Sequence, residues 1–162
     1  MPSFRTETAR DTVALGSQLG DLLQPGDVVL LTGDLGAGKT HFAQGVGRAL
    51  GVGSPLTSPT FNILLVYEGD EVTLNHWDLY RLERADELID VDYYAQVASG
   101  AVSLVEWGDK FAETSLDADL TLRITRTGEH ERLIEVTAHS ARGEGLADEL
   151  TSAWAGRTLD DE

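Results

Sequence analysis

Eight consecutive residues, Gly33-Asp34-Leu35-Gly36-Ala37-Gly38-Lys39-Thr40, follow the spacing G-x-x-x-x-G-K-[ST]. Each residue type has a physical use at that spacing. Glycines let the backbone take positive φ and wrap closely around an anion, so that several N–H groups converge on it. The lysine can then reach the β- and γ-phosphates of a nucleotide, and the hydroxyl after it can sit on Mg²⁺. The expectation is a phosphate-binding loop in which Gly33 to Thr40 and the adjoining His41 contact nucleotide, Lys39 also serves catalysis and Thr40 also serves the metal. The alternative is a glycine-rich turn that merely happens to match, with Lys39 on the surface. The flanking strand and helix patterns described below argue against it.

A phosphate-binding loop that hydrolyses nucleotide needs three further groups: a carboxylate near magnesium, a group to polarise the attacking water, and a loop that senses the γ-phosphate. Glu106 closes the apolar run Val102-Ser103-Leu104-Val105, and Asp78 closes the run that begins at Val72. A core strand that delivers an acid to its C-terminal edge is the arrangement this chemistry needs. Charged residues commonly end strands for no catalytic reason, but their coincidence with the glycine-rich loop makes Asp78 and Glu106 the candidate catalytic acids. Thr60, within Ser58-Pro59-Thr60-Phe61, is placed to complete magnesium coordination from a mobile loop; a turn leading into a strand is its plainer reading. Trp107 could stack on a base or ribose, or pack at a strand rim. His76 and Arg81 flank Asp78 and read as a strand-end imidazole and a surface ion pair.

These residues need elements to hold them. Thr8, with Asp11 three residues on, starts a helix expected over Ala9 to Gln24, whose apolar stripe ends before Pro25-Gly26. Val28-Val29-Leu30-Leu31 has the pattern of a parallel strand covered on both faces. Phe42, Val46 and Leu50 keep helical spacing as far as Gly51. Phe61 to Tyr67 and Val72 to Asp78 form a hairpin around Glu68-Gly69-Asp70-Glu71. Helical character is expected from about Glu83 to Ser99, and Ala101 to Val105 is a second buried strand. Leu120 to Ile124 and Leu133 to Val136 make a terminal antiparallel hairpin, followed by a short helix near Gly145 to Trp154. The predicted fold is α/β, a three-layer arrangement like that of P-loop NTPases, with a mixed, largely parallel central sheet. Residues 1–157 read as one domain and 158–162 as a frayed acidic tail.

Composition narrows the function further. With 28 acidic against 12 basic residues, the formal charge of −16 would repel a phosphodiester backbone, so no strong direct nucleic-acid binding is expected. The absence of cysteine excludes disulfides and thiolate metal sites. No run approaches a membrane span and the first residues lack a secretory pattern, so a soluble cytoplasmic protein is expected.

Taken together, the motifs resemble the TsaE family of ATPases in bacterial tRNA threonylcarbamoyladenosine synthesis. The resemblance rests on the Gly33–Thr40 loop, Ser58-Pro59-Thr60-Phe61, His76-Trp77-Asp78-Leu79-Tyr80-Arg81-Leu82 and Leu104-Val105-Glu106-Trp107, in that order and at similar spacing. It implies Mg²⁺-dependent ATP hydrolysis that supports a TsaB and TsaD pair in modifying the adenosine next to the anticodon of ANN-decoding tRNAs, the tRNA being handled by the partners. It also implies that Lys39 and Thr40 bind phosphate and magnesium, that Glu106 is a magnesium-side acid and Asp78 an essential catalytic or water-ordering one, and that Thr60 is a switch residue. Trp107 would lie by the nucleotide, and Thr8 and Arg132 toward its adenine side. His41, where a second Thr or Ser is common, and Asp90-Val91-Asp92, in a usually glutamate-rich stretch, depart from the family pattern. Two other readings are a small-molecule kinase, which should carry an arginine-rich lid that this sequence lacks, and a non-catalytic ATP-dependent switch, which would keep Lys39 and Thr40 without needing the acids. ATP over GTP follows from the resemblance, and the lack of an obvious N-K-x-D motif agrees with it.

Overall fold

The two strands that flank the glycine-rich loop and carry Glu106, β2 (Val28–Thr32) and β5 (Val102–Glu106), are buried along their whole length. Continuous apolar runs of this kind are stable only with helices on both faces. In the computed structural model, which describes residues 2–34, 36–57, 59 and 62–157, they occupy the centre of one seven-stranded sheet. Its order is β1-β7-β6-β2-β5-β4-β3. The other strands are β1 (Ser3–Thr6), β3 (Leu64–Glu68), β4 (Thr73–Asp78), β6 (Leu120–Arg126) and β7 (Arg132–Ala138). The four central strands, β6, β2, β5 and β4, run parallel, and antiparallel pairings close both edges. The mixed sheet and the C-terminal hairpin are as expected from sequence. Leu35, Ser58, Thr60, Phe61 and the expected tail at 158–162 lie outside the described residues.

Alternate residues of β2 serve opposite faces. Val29 and Leu31 enter a core with Leu15 and Leu19 of α1 (Ala9–Leu22), Phe42 and Val46 of α2 (Lys39–Ala49), and Leu150 of α5 (Ala141–Ala155). Val28 and Leu30 enter a second core with Trp77, Leu88 of α3 (Glu87–Asp90) and Tyr93 of α4 (Tyr93–Val97). This produces the three layers. The helical stretch expected over Glu83 to Ser99 is two short helices, because Asp92 takes φ 60° between them and stops propagation. The last helix begins at Ala141, earlier than expected, with Ser140 Oγ accepting from the Gly143 amide at 2.9 Å. Strand β1, four residues long and pairing only with β7, was too short to show a pattern of its own. Thr8 caps α1 as expected, its hydroxyl accepting from the Asp11 amide at 3.0 Å.

Helices α1 and α2 touch backbone to backbone. A Cβ at Gly45 would lie 2.0 Å from the Val13 carbonyl oxygen, and one at Gly16 would lie 2.2 Å from that of Phe42. This contact fixes the direction in which α2 presents its N-terminus, where the glycine-rich loop ends. Gly45→Ala should therefore cost about 3 kcal/mol, the upper end for overpacking, because the obstacle is backbone and not a movable side chain. The thermal midpoint followed by circular dichroism should fall by about 6–12 °C; an unchanged midpoint would mean that the helices separate easily and do not fix the loop.

Candidate functional site

The glycine-rich loop lies in the crevice beyond the C-terminal ends of the parallel strands, where open α/β sheets bind ligands. Gly33, Gly36 and Gly38 have φ of 146°, 79° and 105°. At Gly33 even the space is denied, since a Cβ would stand 2.5 Å from the Ile124 carbonyl oxygen. Gly38 is the N-cap of α2 and has no side chain to cap the helix. Among the described residues no carbonyl accepts from the amides of Lys39, Thr40 and His41 in this first turn, which with the positive end of the helix dipole suits them to an anion.

A cavity of about 490 Å³ opens over this turn, lined by Gly36, Gly38, Lys39, Thr40, His41, Asp78, Tyr80, Glu106, Trp107 and Arg132. Strand register explains why the two acids are there. Asp78 pairs with Glu106 across the parallel β4–β5 ladder, and Glu106 pairs with Leu31 of β2, so both carboxylates end their strands beside the loop that follows β2. Both are buried. Asp78 Oδ1 accepts from the Tyr80 amide at 2.9 Å, and the Asp78 amide donates to Ile63 O at 2.8 Å.

Lys39 is only 6% exposed. Its Nζ donates to the carbonyls of Gly33 and Asp34, the latter at 3.0 Å, and stands 4.6 Å from the centre of the Trp107 ring. Burial holds its ammonium below the ordinary lysine value, against the opposing pull of Glu106, Asp78, Asp34 and Asp109. Trp107 has φ 58°, which turns the chain immediately after Glu106, and its ring packs 5.0 Å from that of Tyr80. The indole therefore borders the lysine end of the cavity.

Arg132 reaches the loop from its outer side. Its Nε donates to Ala37 O at 2.7 Å and its Nη1 to Glu131 O at 2.8 Å, which ties the loop to the β6–β7 turn. Thr8 is not among the residues lining the cavity, and its hydroxyl is engaged at the start of α1. Two contacts were not legible in the sequence. His76, read as an ordinary strand-end imidazole, is buried with Nε2 2.6 Å from Glu106 Oε2. Lys110 donates to the Tyr80 carbonyl and so closes the loop around Trp107. The first had a signal in the two-residue spacing of His76 and Asp78, which puts both side chains on one face of a strand.

Among the described residues no group of three or more His, Cys, Asp and Glu side chains could hold a metal ion. The donors that line the cavity include the Asp78 and Glu106 carboxylates and the Thr40 hydroxyl, which suit Mg²⁺, an ion that takes one or two protein carboxylates and completes its shell with phosphate and water. Glycine backbone, helix-turn amides and a buried lysine suit the phosphates of a nucleotide.

A family model described as threonylcarbamoyl adenosine biosynthesis protein TsaE matches residues 6–134. A Bacillus subtilis protein described as tRNA threonylcarbamoyladenosine biosynthesis protein TsaE is 38% identical over 148 residues, covering 91% of this chain and 92% of its own. The protein of that description from Streptomyces coelicolor is 42% identical over 135 residues, with 79% and 90% covered. The crystal structure of Bacillus subtilis YdiB superposes with a TM-score of 0.73 at 33% identity, covering 94% of this chain and 95% of that one.

Proposed function

The chain belongs to the TsaE family of threonylcarbamoyl adenosine biosynthesis proteins, and from that premise we propose that it is a Mg²⁺-dependent ATPase serving a TsaB and TsaD pair in tRNA modification. The observation that carries the proposal is the meeting of Lys39, Thr40, Asp78 and Glu106 in one cavity at the end of β2, β4 and β5. A turn that matched the loop motif by chance would have no reason to bury two acids beside it.

In this reading the first-turn amides of α2 and the Lys39 ammonium hold the phosphates, and the Thr40 hydroxyl and Glu106 carboxylate hold the metal. Mg²⁺ held there would supply positive charge against the charge developing on the phosphates. Asp78 orients water toward the γ-phosphate and accepts its proton. Trp107 and Tyr80 wall the lysine end and limit access of bulk water. Thr60, which lies outside the described residues, would add a hydroxyl ligand to the metal. The strongly acidic surface docks on the partner pair, which holds the tRNA.

The test is the ATP hydrolysis rate of the purified chain, alone and with TsaB and TsaD, with Lys39→Met as the control for contaminating activity. Stimulation by the pair that disappears in the variant is the expected result. Complex formation without stimulation would overturn the ATPase and leave a nucleotide-binding switch.

A further inference from the structure

His76 is 1% exposed, sits on the same face of β4 as Asp78, and donates through Nε2 to Glu106 Oε2 at 2.6 Å. Its other nitrogen, Nδ1, is buried with no hydrogen-bond partner among the described residues. A buried polar atom left unpaired is unfavourable, and the neighbours of His76 in the ladder, Leu65 and Leu104, are apolar. Packing alone therefore favours an aliphatic residue here. What the imidazole contributes is one bond to one oxygen of one acid.

Resting on the reading that Glu106 serves the metal, we propose that His76 is the positioning residue for Glu106. The proton lies on Nε2, since a second N–H at Nδ1 would be buried without an acceptor. The bond pins Oε2 from below and fixes the rotation of the carboxylate, leaving Oε1 for the cavity. A glutamate needs such a restraint more than an aspartate does, having one more rotatable bond to order. Asp78, on the shorter side chain, is held instead by the Tyr80 amide. The spacing of His76 and Asp78 thus places one positioning group and one acid on the same strand face, with the second acid opposite on β5.

Loss of a group that orients a metal-side ligand typically costs about 10- to 100-fold in metal affinity or activity. In His76→Leu, the Mg²⁺ concentration needed for half-maximal ATP binding, read with a fluorescent ATP analogue, should rise by about 10- to 100-fold, with little change in binding measured without Mg²⁺. His76→Gln, whose amide can place an N–H near the Nε2 position, should recover most of this loss. In a Glu106→Gln background His76→Leu should change neither turnover nor Mg²⁺ dependence further. Equal effects of His76→Leu with and without Glu106, or an unshifted Mg²⁺ requirement in both His76 variants, would overturn the proposal. Normal Mg²⁺ dependence in Glu106→Gln alone would instead sink the metal-side reading of Glu106 on which it rests. Thermal midpoints identify a misfolded Leu variant, and in that case His76→Asn, whose shorter amide falls short of the Nε2 position, should show the same raised Mg²⁺ requirement; an unshifted one would overturn the proposal.

Discussion

Asp78→Asn should lower ATP turnover by about 10²- to 10⁴-fold, the usual contribution of a positioned acid–base group, and leave the melting temperature and ATP affinity nearly unchanged. The substitution is selective because asparagine keeps the side-chain oxygen that accepts from the Tyr80 amide at 2.9 Å. The backbone bond from Asp78 to Ile63 and the ladder pairing with Glu106 do not involve the side chain. What is removed is the negative charge that, in the proposed mechanism, takes up a proton from water. Single-turnover hydrolysis with saturating ATP isolates that step, and calorimetric ATP binding checks the ground state. If turnover stays within a few-fold of the parent while Glu106→Gln abolishes it, Asp78 is not the water-ordering group. If both variants hydrolyse normally, the cavity binds ATP without using its acids, and the switch reading takes the place of the ATPase.

Much of this site was legible because its parts lie on elements with simple periodicity. The run Val28 to Leu31 read as a buried parallel strand, the loop after it as opening onto a helix, and Asp78 and Glu106 as acids at the ends of two further strands. Strand order was not legible, because local pattern does not say which parallel strands are neighbours; the Asp78–Glu106 register emerged only with β4 placed directly beside β5. The bond from His76 to Glu106 spans 30 residues and depends on that same placement. The break at Asp92 was missed for a different reason. The apolar spacing across 83–99 suits one helix, but a single residue at φ 60° overrides it. The crossing of α1 and α2 was also hidden, since Gly16 and Gly45 reveal their purpose only when the two backbones are seen in contact.

Lys39→Met should separate binding from folding. The side chain sits among Asp34, Asp78, Glu106 and Asp109, yet its ammonium titrates below the ordinary value, so burial outweighs their combined attraction. Between that lowered value and the ordinary one near 10.5, the unfolded chain keeps a proton that the native state has released, and stability rises with pH across the window. Below that lowered value the lysine is charged in both states and the penalty of burying the charge is fully present. Methionine fills a similar volume without that charge, so the protein without nucleotide should melt no earlier than the parent. Its ATP affinity should collapse, because a polyanion would then enter a cavity whose carboxylates have lost their buried cation. Truncating one partner of a buried charge pair costs about 2–5 kcal/mol, or roughly 30- to 5,000-fold in affinity. Calorimetry with ATP and a thermal scan on the same sample decide the matter. A lower melting point with unchanged affinity would show that Lys39 acts through its bonds to the Gly33 and Asp34 carbonyls and holds the loop together, while the helix-turn amides alone carry the phosphates.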